Sequence, residues 1–196
     1  MRLFFILTIL FMYGCGSPSF EDGDIIFHSS TSSQSGMLEL VTKSDITHVG
    51  IIFYDESSPY VFEAVQPVRI TPLNVFVSRG KDSKYIVKRF KGVLTDDKLK
   101  DMYLYGKTHL GKNYDSKFLW SDGEMYCSEL VYKTYRSIGI ILCDKSHFYD
   151  YDLGYENVQN VIDYRYKNDV FDNNTEVVTP VDLLNSDMLY TVYDNR

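Results

Sequence analysis

Residues 47–54 (THVGIIFY) and 60–65 (YVFEAV) are two β-branched and aromatic runs separated only by Asp55-Glu56-Ser57-Ser58-Pro59. Runs of this kind form strands, and five polar residues are too few for the crossover that parallel strands need, so the pair must be an antiparallel hairpin. The rest of the chain has to accommodate that sheet. Residues 24–28, opened by the Gly23-Asp24 turn, read as a short strand, and residues 84–90 and 188–193 as two more. A short helix is expected over 36–43, and another from Thr71-Pro72 through Val77 with proline at its first position. Thr95 caps a helix that carries Asp96 and Asp97 in its first turn, repeats Leu99, Met102, Tyr103, Gly106 and Leu110, and stops at Gly111. Residues 127–138 hold apolar or small groups at 127, 130, 131, 134, 135 and 138, a helical stripe with Gly139 at the position after the C-cap. Further helices are expected over 156–166 and from Thr179-Pro180. Helices interleaved with antiparallel hairpins give an α+β fold rather than a doubly wound sheet.

The chain has 196 residues, room for a single domain with a real core, and no linker or repeat divides residues 22–196. Its 20 Lys and Arg against 27 Asp and Glu leave a net charge of −7, which lacks the positive surface that phosphate backbones demand. No nucleic-acid partner is expected. Before Gly14-Cys15-Gly16-Ser17 lies a largely apolar run of eleven residues preceded by Arg2, too short for the roughly 20 residues of a spanning helix. It suits the apolar stretch of a signal peptide over residues 1–15, and its end resembles a lipobox, in which Cys15 is lipidated. The expected location is therefore the cell envelope, facing the periplasm or exterior, on a lipid anchor in the membrane.

Three cysteines, Cys15, Cys127 and Cys143, are too few for a disulfide scaffold and lack zinc-ribbon spacing. A helix of about 12 residues at about 1.5 Å each holds Cys127 and Cys143 roughly 18 Å apart, beyond the reach of a disulfide. Cys143, in an apolar run, reads as packing. Cys127 opens a helix, where unpaired amides and the dipole favour a thiolate and where its own N–H can face a developing oxyanion. The alternative for Cys127 is a small buried core residue. His48 begins the most apolar strand and is either a satisfied buried histidine or a base on a rigid scaffold. Glu63 interrupts another strand, where a carboxylate is costly unless paired. His28, His109 and His147 read as surface residues. Thiol, imidazole and acid together form the arrangement of a nucleophile, its base and an orienting group. As a metal site, His48 and Glu63 would supply only two ligands, so no metal and no cofactor is expected.

Gly23-Asp24-Ile25-Ile26-Phe27, Thr47-His48-Val49-Gly50-Ile51, Phe62-Glu63-Ala64, Gly111-Lys112-Asn113-Tyr114-Asp115, Tyr126-Cys127-Ser128-Glu129-Leu130-Val131 and Val178-Thr179-Pro180-Val181-Asp182-Leu183, in this order, resemble the circularly permuted branch of the NlpC/P60 superfamily, the YiiX-like papain-type hydrolases. In the unpermuted family the cysteine helix precedes the histidine strand; here His48 and Glu63 precede Cys127. The resemblance implies a papain-like core with an antiparallel sheet packed against the cysteine helix. It also implies a site of Cys127 as nucleophile, His48 as base and Glu63 as orienting acid, with Tyr114, Asp115 and Tyr126 as substrate or oxyanion contacts, acting on amide or ester bonds and often on cell-wall peptides. Pairing Tyr54 with Tyr60 across a tight loop, however, sets Gln66 beside His48 and Glu63 beside Ile51, so that Glu63 and His48 face opposite sides. A bulge or a shifted loop would reunite them; otherwise Gln66 orients the imidazole. The expected function is a monomeric cell-envelope cysteine amidase or peptidase acting on a cell-wall peptide or acyl substrate. The alternatives are a thiol acyltransferase or lipid esterase, which would need a long apolar channel, and a non-catalytic module binding cell-wall fragments.

Overall fold

The structure is a computed structural model that describes residues 19–32, 35–167 and 169–196. The expected signal peptide and Cys15 lie outside these residues. Strand β1 (Ile25–His28) leads to helix α1 (Ser35–Thr42), the hairpin β2 (His48–Asp55) and β3 (Ser58–Glu63), then β4 (Arg69–Pro72) and α2 (Leu73–Ser78). Strand β5 (Ile86–Phe90) is followed by α3 (Asp96–Lys107) and α4 (Cys127–Arg136). The chain continues through β6 (Ser146–His147), α5 (Glu156–Arg165), β7 (Glu176–Val177), α6 (Pro180–Leu184) and β8 (Leu189–Asp194). Six strands form one antiparallel sheet in the order β4-β3-β2-β1-β5-β8, while β6 and β7 pair separately. The α+β architecture follows.

The central strands are apolar on both faces because both faces are covered. Ile25, Phe27, Val49, Ile51, Phe53 and Phe62 pack toward Met102 of α3 and Val131 and Tyr135 of α4. Ile26, Ile52, Val61 and Val87 pack on the other side with Phe20 and with Phe76 of α2. Each such side chain removed from water is worth about 1.5–3 kcal/mol, so β2 anchors the molecule. Helix α4 is buried along nearly its whole length, from Cys127 through Tyr135. It ends as expected at Gly139, whose φ of 80° turns the chain so that the Ile140 amide returns to the Tyr135 carbonyl at 3.1 Å.

Two local readings are corrected. The hairpin loop shrinks from five residues to the pair Glu56 and Ser57, with Glu56 at φ 53°, so that Tyr54 pairs with Pro59 rather than Tyr60. The whole of β3 therefore shifts by one position, which turns every side chain to the other face. Thr71 and Pro72 end strand β4 rather than open a helix: Pro72 is extended at ψ 139° and stands as the N-cap of α2. Strand β4 escaped the sequence reading because its four residues alternate too briefly to show a period.

Candidate active site

The shifted register sets up the site. Continuing the pairing Ile51 to Phe62 by one step puts Glu63 beside Gly50, two residues from His48 on the same face. Gly50 is needed there, because a Cβ would come within 2.4 Å of Val61 Cγ1 and 2.8 Å of the Phe62 carbonyl. Glu63 Oε2 then lies 2.8 Å from His48 Nε2. His48, the first residue of β2, also lies close enough to the sulfur of Cys127, the first residue of α4, for the thiol to raise the pKa of the imidazole. Thiol, imidazole and carboxylate thus stand together, all of them buried.

The carboxylate is heavily committed. Its Oε1 accepts from Thr71 Oγ1 at 2.5 Å, from Arg69 Nε at 3.4 Å and from the Arg79 guanidinium. Burial alone would raise its pKa, but the bonds and charges of His48, Arg79 and Thr71 outweigh that and hold it far below the usual carboxylate range. Burial likewise opposes the charged form of His48, yet the neighbouring Cys127 and Glu63 lift it to about 9. The imidazole therefore keeps its proton through neutral pH. The thiol end is braced from α4 itself: Glu129, fully buried, accepts from the Tyr126 amide at 3.2 Å and ion-pairs with Lys133 at 2.7 Å. Burial pushes the Glu129 carboxyl up to about 7 against the pull of Lys133.

Residues 19–193 match the model of a permuted papain-like amidase family, C92, of the YaeF/YiiX type. The chain belongs to this family. It is 38% identical over 173 residues to the uncharacterized protein YiiX of Escherichia coli strain K12, covering 88% of this chain and 85% of that protein. The crystal structure of the metalloprotein YiiX from Escherichia coli O157:H7 superposes with a TM-score of 0.84 at 37% identity, covering 89% of this chain and 97% of that one. The papain-like permuted fold expected from the order of the motifs is thereby shown.

Other residues singled out in the sequence are placed as follows. The segment after Gly111 (φ 83°) folds back on itself through Met125 N to the Asn113 carbonyl and Asp115 N to the Met125 carbonyl. This carries Tyr114 close to the sulfur of Cys127; burial, and then the neighbouring thiol, raise the pKa of its hydroxyl. Tyr126 borders the site, but its hydroxyl is taken by the Val178 amide at 3.2 Å. Asp115 binds backbone instead of facing the thiol, accepting from Lys117 N at 2.9 Å and Leu119 N at 2.6 Å. Gln66 does not reach His48. Its amide oxygen accepts from Tyr114 N at 2.6 Å and its nitrogen donates to Asn113 Oδ1 at 2.8 Å, so it clamps the tyrosine loop.

Two histidines read as surface residues are buried. His28, 1% exposed, stands opposite His48 in the sheet, with ring centroids 5.2 Å apart, and stacks on Phe76 at 4.5 Å. Burial, aided by the neighbouring His48 and Arg79, lowers its pKa to about 3, so it is a neutral ring beside a charged one. His109 is buried behind Lys112, whose Nζ is 3.0 Å from its Nδ1. Sequence missed His28 because its exposure depends on strand order, which pairs β1 with β2. It missed Arg69 and Arg79 because they reach Glu63 from a separate strand and from the end of α2. Two cavities border the site, one at the thiol and one at the imidazole. One is an apolar crevice of about 80 Å³ lined by Cys127, Met37, Val158, Ile162, Phe171 and Val178; the other is a polar cleft of about 570 Å³ with His48, Ser30, Thr31, Thr47 and Arg79 on its walls.

Proposed function

We propose that the protein is a thiol amidase in which Cys127 attacks a carbonyl, His48 carries the proton and Glu63 orients the imidazole. The observation that carries this reading is the buried juxtaposition of Cys127 and His48, with His48 hydrogen-bonded to Glu63 at 2.8 Å. A protonated imidazole in contact with a sulfur is the arrangement in which a thiolate forms. Attack on an amide carbonyl makes a covalent thioester through a tetrahedral oxyanion, and His48 returns its proton to the departing nitrogen. Water then takes the same path to release the acid. The Cys127 amide at the start of α4 and the Tyr114 hydroxyl are the donors available to the oxyanion. Glu63, fixed by Thr71 and two arginines, keeps the ring in position throughout.

The apolar crevice favours substrates with an apolar group on the acyl side of the bond. About 80 Å³ is less than the roughly 150 Å³ that encloses a benzene molecule, so as it stands the crevice takes a short group rather than a long chain. A polar leaving group, such as the amino end of a cell-wall peptide, fits the larger cleft. The same thiol chemistry with an oxygen-bound acyl donor gives an esterase or acyltransferase, but a lipid substrate would need a long apolar channel and the crevice is short, which favours the amidase reading. The relative described as a metalloprotein raises the question of a metal here. Among the described residues no three His, Cys, Asp or Glu side chains converge as a metal site, and His48 and Glu63 are already committed to each other. This donor set does not fit a metal ion.

The test is a panel of N-acyl amino-acid anilides, murein peptides and matched esters assayed with wild type and Cys127→Ala, each with and without a chelator. Turnover that requires Cys127 and survives chelation is expected; turnover that survives Cys127→Ala, or is abolished by the chelator, overturns the mechanism. The lipobox-like end at Cys15 supports a place in the cell envelope. Cys15→Ser is expected to release the protein from the membrane fraction or block its processing, and unchanged partitioning would contradict the lipid anchor.

A further inference from the structure

Phe118 stands between the apolar crevice and the polar cleft and borders both. Its backbone is held in the left-handed region at φ 55°, a conformation that a bulky L residue avoids unless its surroundings dictate it. They do so on both sides. Asp115 grips the amides that flank it, Lys117 N at 2.9 Å and Leu119 N at 2.6 Å, and the Tyr166 hydroxyl donates to the Lys117 carbonyl. Two residues on, Trp120 is also left-handed at φ 56°. The ring itself is packed edge-on against Tyr126 at 5.0 Å and 78°, reaches Phe148 at 6.5 Å, and carries the Arg165 guanidinium 5.5 Å from its centroid.

A buried carboxylate spent wholly on the backbone of one short loop serves to aim the side chain in the middle of that loop. The side chain aimed lies on the border of two cavities, an almost wholly apolar crevice that reaches Cys127 and a larger cleft with more polar walls that reaches His48, a border it shares with Met37, Leu38, Tyr114, Ser116 and Arg165. We infer that Phe118 is a specificity-determining wall, separating the crevice for the acyl-side group from the larger, more polar cleft, and that Asp115 is the residue positioning it. The inference rests on the reading of Cys127 as the reacting thiol. With the ring in place, an apolar group bound next to the sulfur is shielded from the cleft; without it, crevice and cleft merge and that group meets water.

The test measures alkylation of Cys127 by mass spectrometry with two reagents, iodoacetamide and N-ethyl iodoacetamide, in the full chain. In wild type the ethyl reagent is expected to react about tenfold faster relative to free thiol, the equivalent of about two buried methylene groups. Phe118→Gly removes the ring while keeping the left-handed backbone accessible, and should bring that preference to within about twofold. Asp115→Asn leaves one of the two amide grips unmade and should give an intermediate preference at unchanged reactivity toward iodoacetamide. Should Phe118→Gly not fold, Phe118→Leu, which replaces the flat ring by a shorter apolar group, is expected to lower the preference about threefold. Equal preference in wild type and the Phe118 variants, or no preference in wild type, overturns the wall. Because alkylation needs no turnover, the two failures are distinguishable. Amide turnover that ignores Cys127→Ala would sink the mechanism and with it the wall's role in specificity, whatever the reagent preference, while Cys127-dependent turnover with equal reagent preference in wild type and the Phe118 variants would sink the wall alone.

Discussion

Cys127 and Cys143 sit near opposite ends of the same helix in opposite surroundings. Cys127, at the N-terminus of α4, meets the dipole's positive end, the His48 imidazole and the Tyr114 hydroxyl. Cys143 lies beyond the C-terminus in a half-buried setting where burial, reinforced by Asp182 and Asp144, pushes its thiol up to about 12. The residue type is constant and the surroundings are reversed. What would make Cys127 rather than Cys143 the nucleophile of the proposed reaction is the end of the helix it occupies and the ring placed against it, not the presence of sulfur.

That contrast can be broken most severely by removing each thiol in turn. Cys127→Ala is expected to cut the rate constant for amide hydrolysis by about 10³-fold or more, and Cys143→Ala to leave it within about twofold, measured by steady-state kinetics. Equal losses would erase the distinction. At pH 7 iodoacetamide should modify Cys127 at least about 10²-fold faster than Cys143, a ratio read from peptide mass spectra over time. Replacing Glu63 by Gln leaves His48 without its anionic partner, and an orienter's loss should cost about 10² in rate while sparing the fold. A pH titration sharpens the comparison from the imidazole side. Since the folded pKa of His48 stands near 9, above its ordinary 6.5, its contribution to stability is complete below about 6.5 and is lost as pH rises through about 9. Thermal melts should therefore lose about 2–3 kcal/mol over that window in wild type, and His48→Asn should flatten this dependence. The smallest effect is reserved for Gln66→Ala, which loosens the Tyr114 loop without touching His48 and should slow turnover no more than about tenfold. A larger loss from Gln66→Ala than from Glu63→Gln would return the orienting role to the amide.

Much of this was legible in the chain alone. The hairpin, the Thr95 and Thr179 caps, the stripe of α4 and its stop at Gly139 are local signals, carried by residues within a few positions of one another. The order of the short motifs was enough to expect the permuted papain-like fold. The register of β2 against β3 was not legible, because a loop of two residues or five fits the same polar stretch, and the single step between them decides which face Glu63 takes. Gly50 was quoted in a motif, but its purpose, close passage of β3, becomes visible only once the strands are paired.

The sequence by itself determined most of the helices and the central strands, though not β4 or the ends of the hairpin loop, and which side chains were candidates for chemistry, since propensity, capping and periodicity are properties of neighbours along the chain. Only the tertiary structure decided what those side chains do to one another. Glu63 is an anchored anion because Thr71, Arg69 and Arg79 arrive from elsewhere, His28 is a buried neutral ring because β1 lies beside β2, and Gln66 serves Tyr114 rather than His48. Charge state and orientation depend on distance through space, and residues 48, 63, 79 and 127 are brought within bonding reach only by the antiparallel sheet and the helix packed on it.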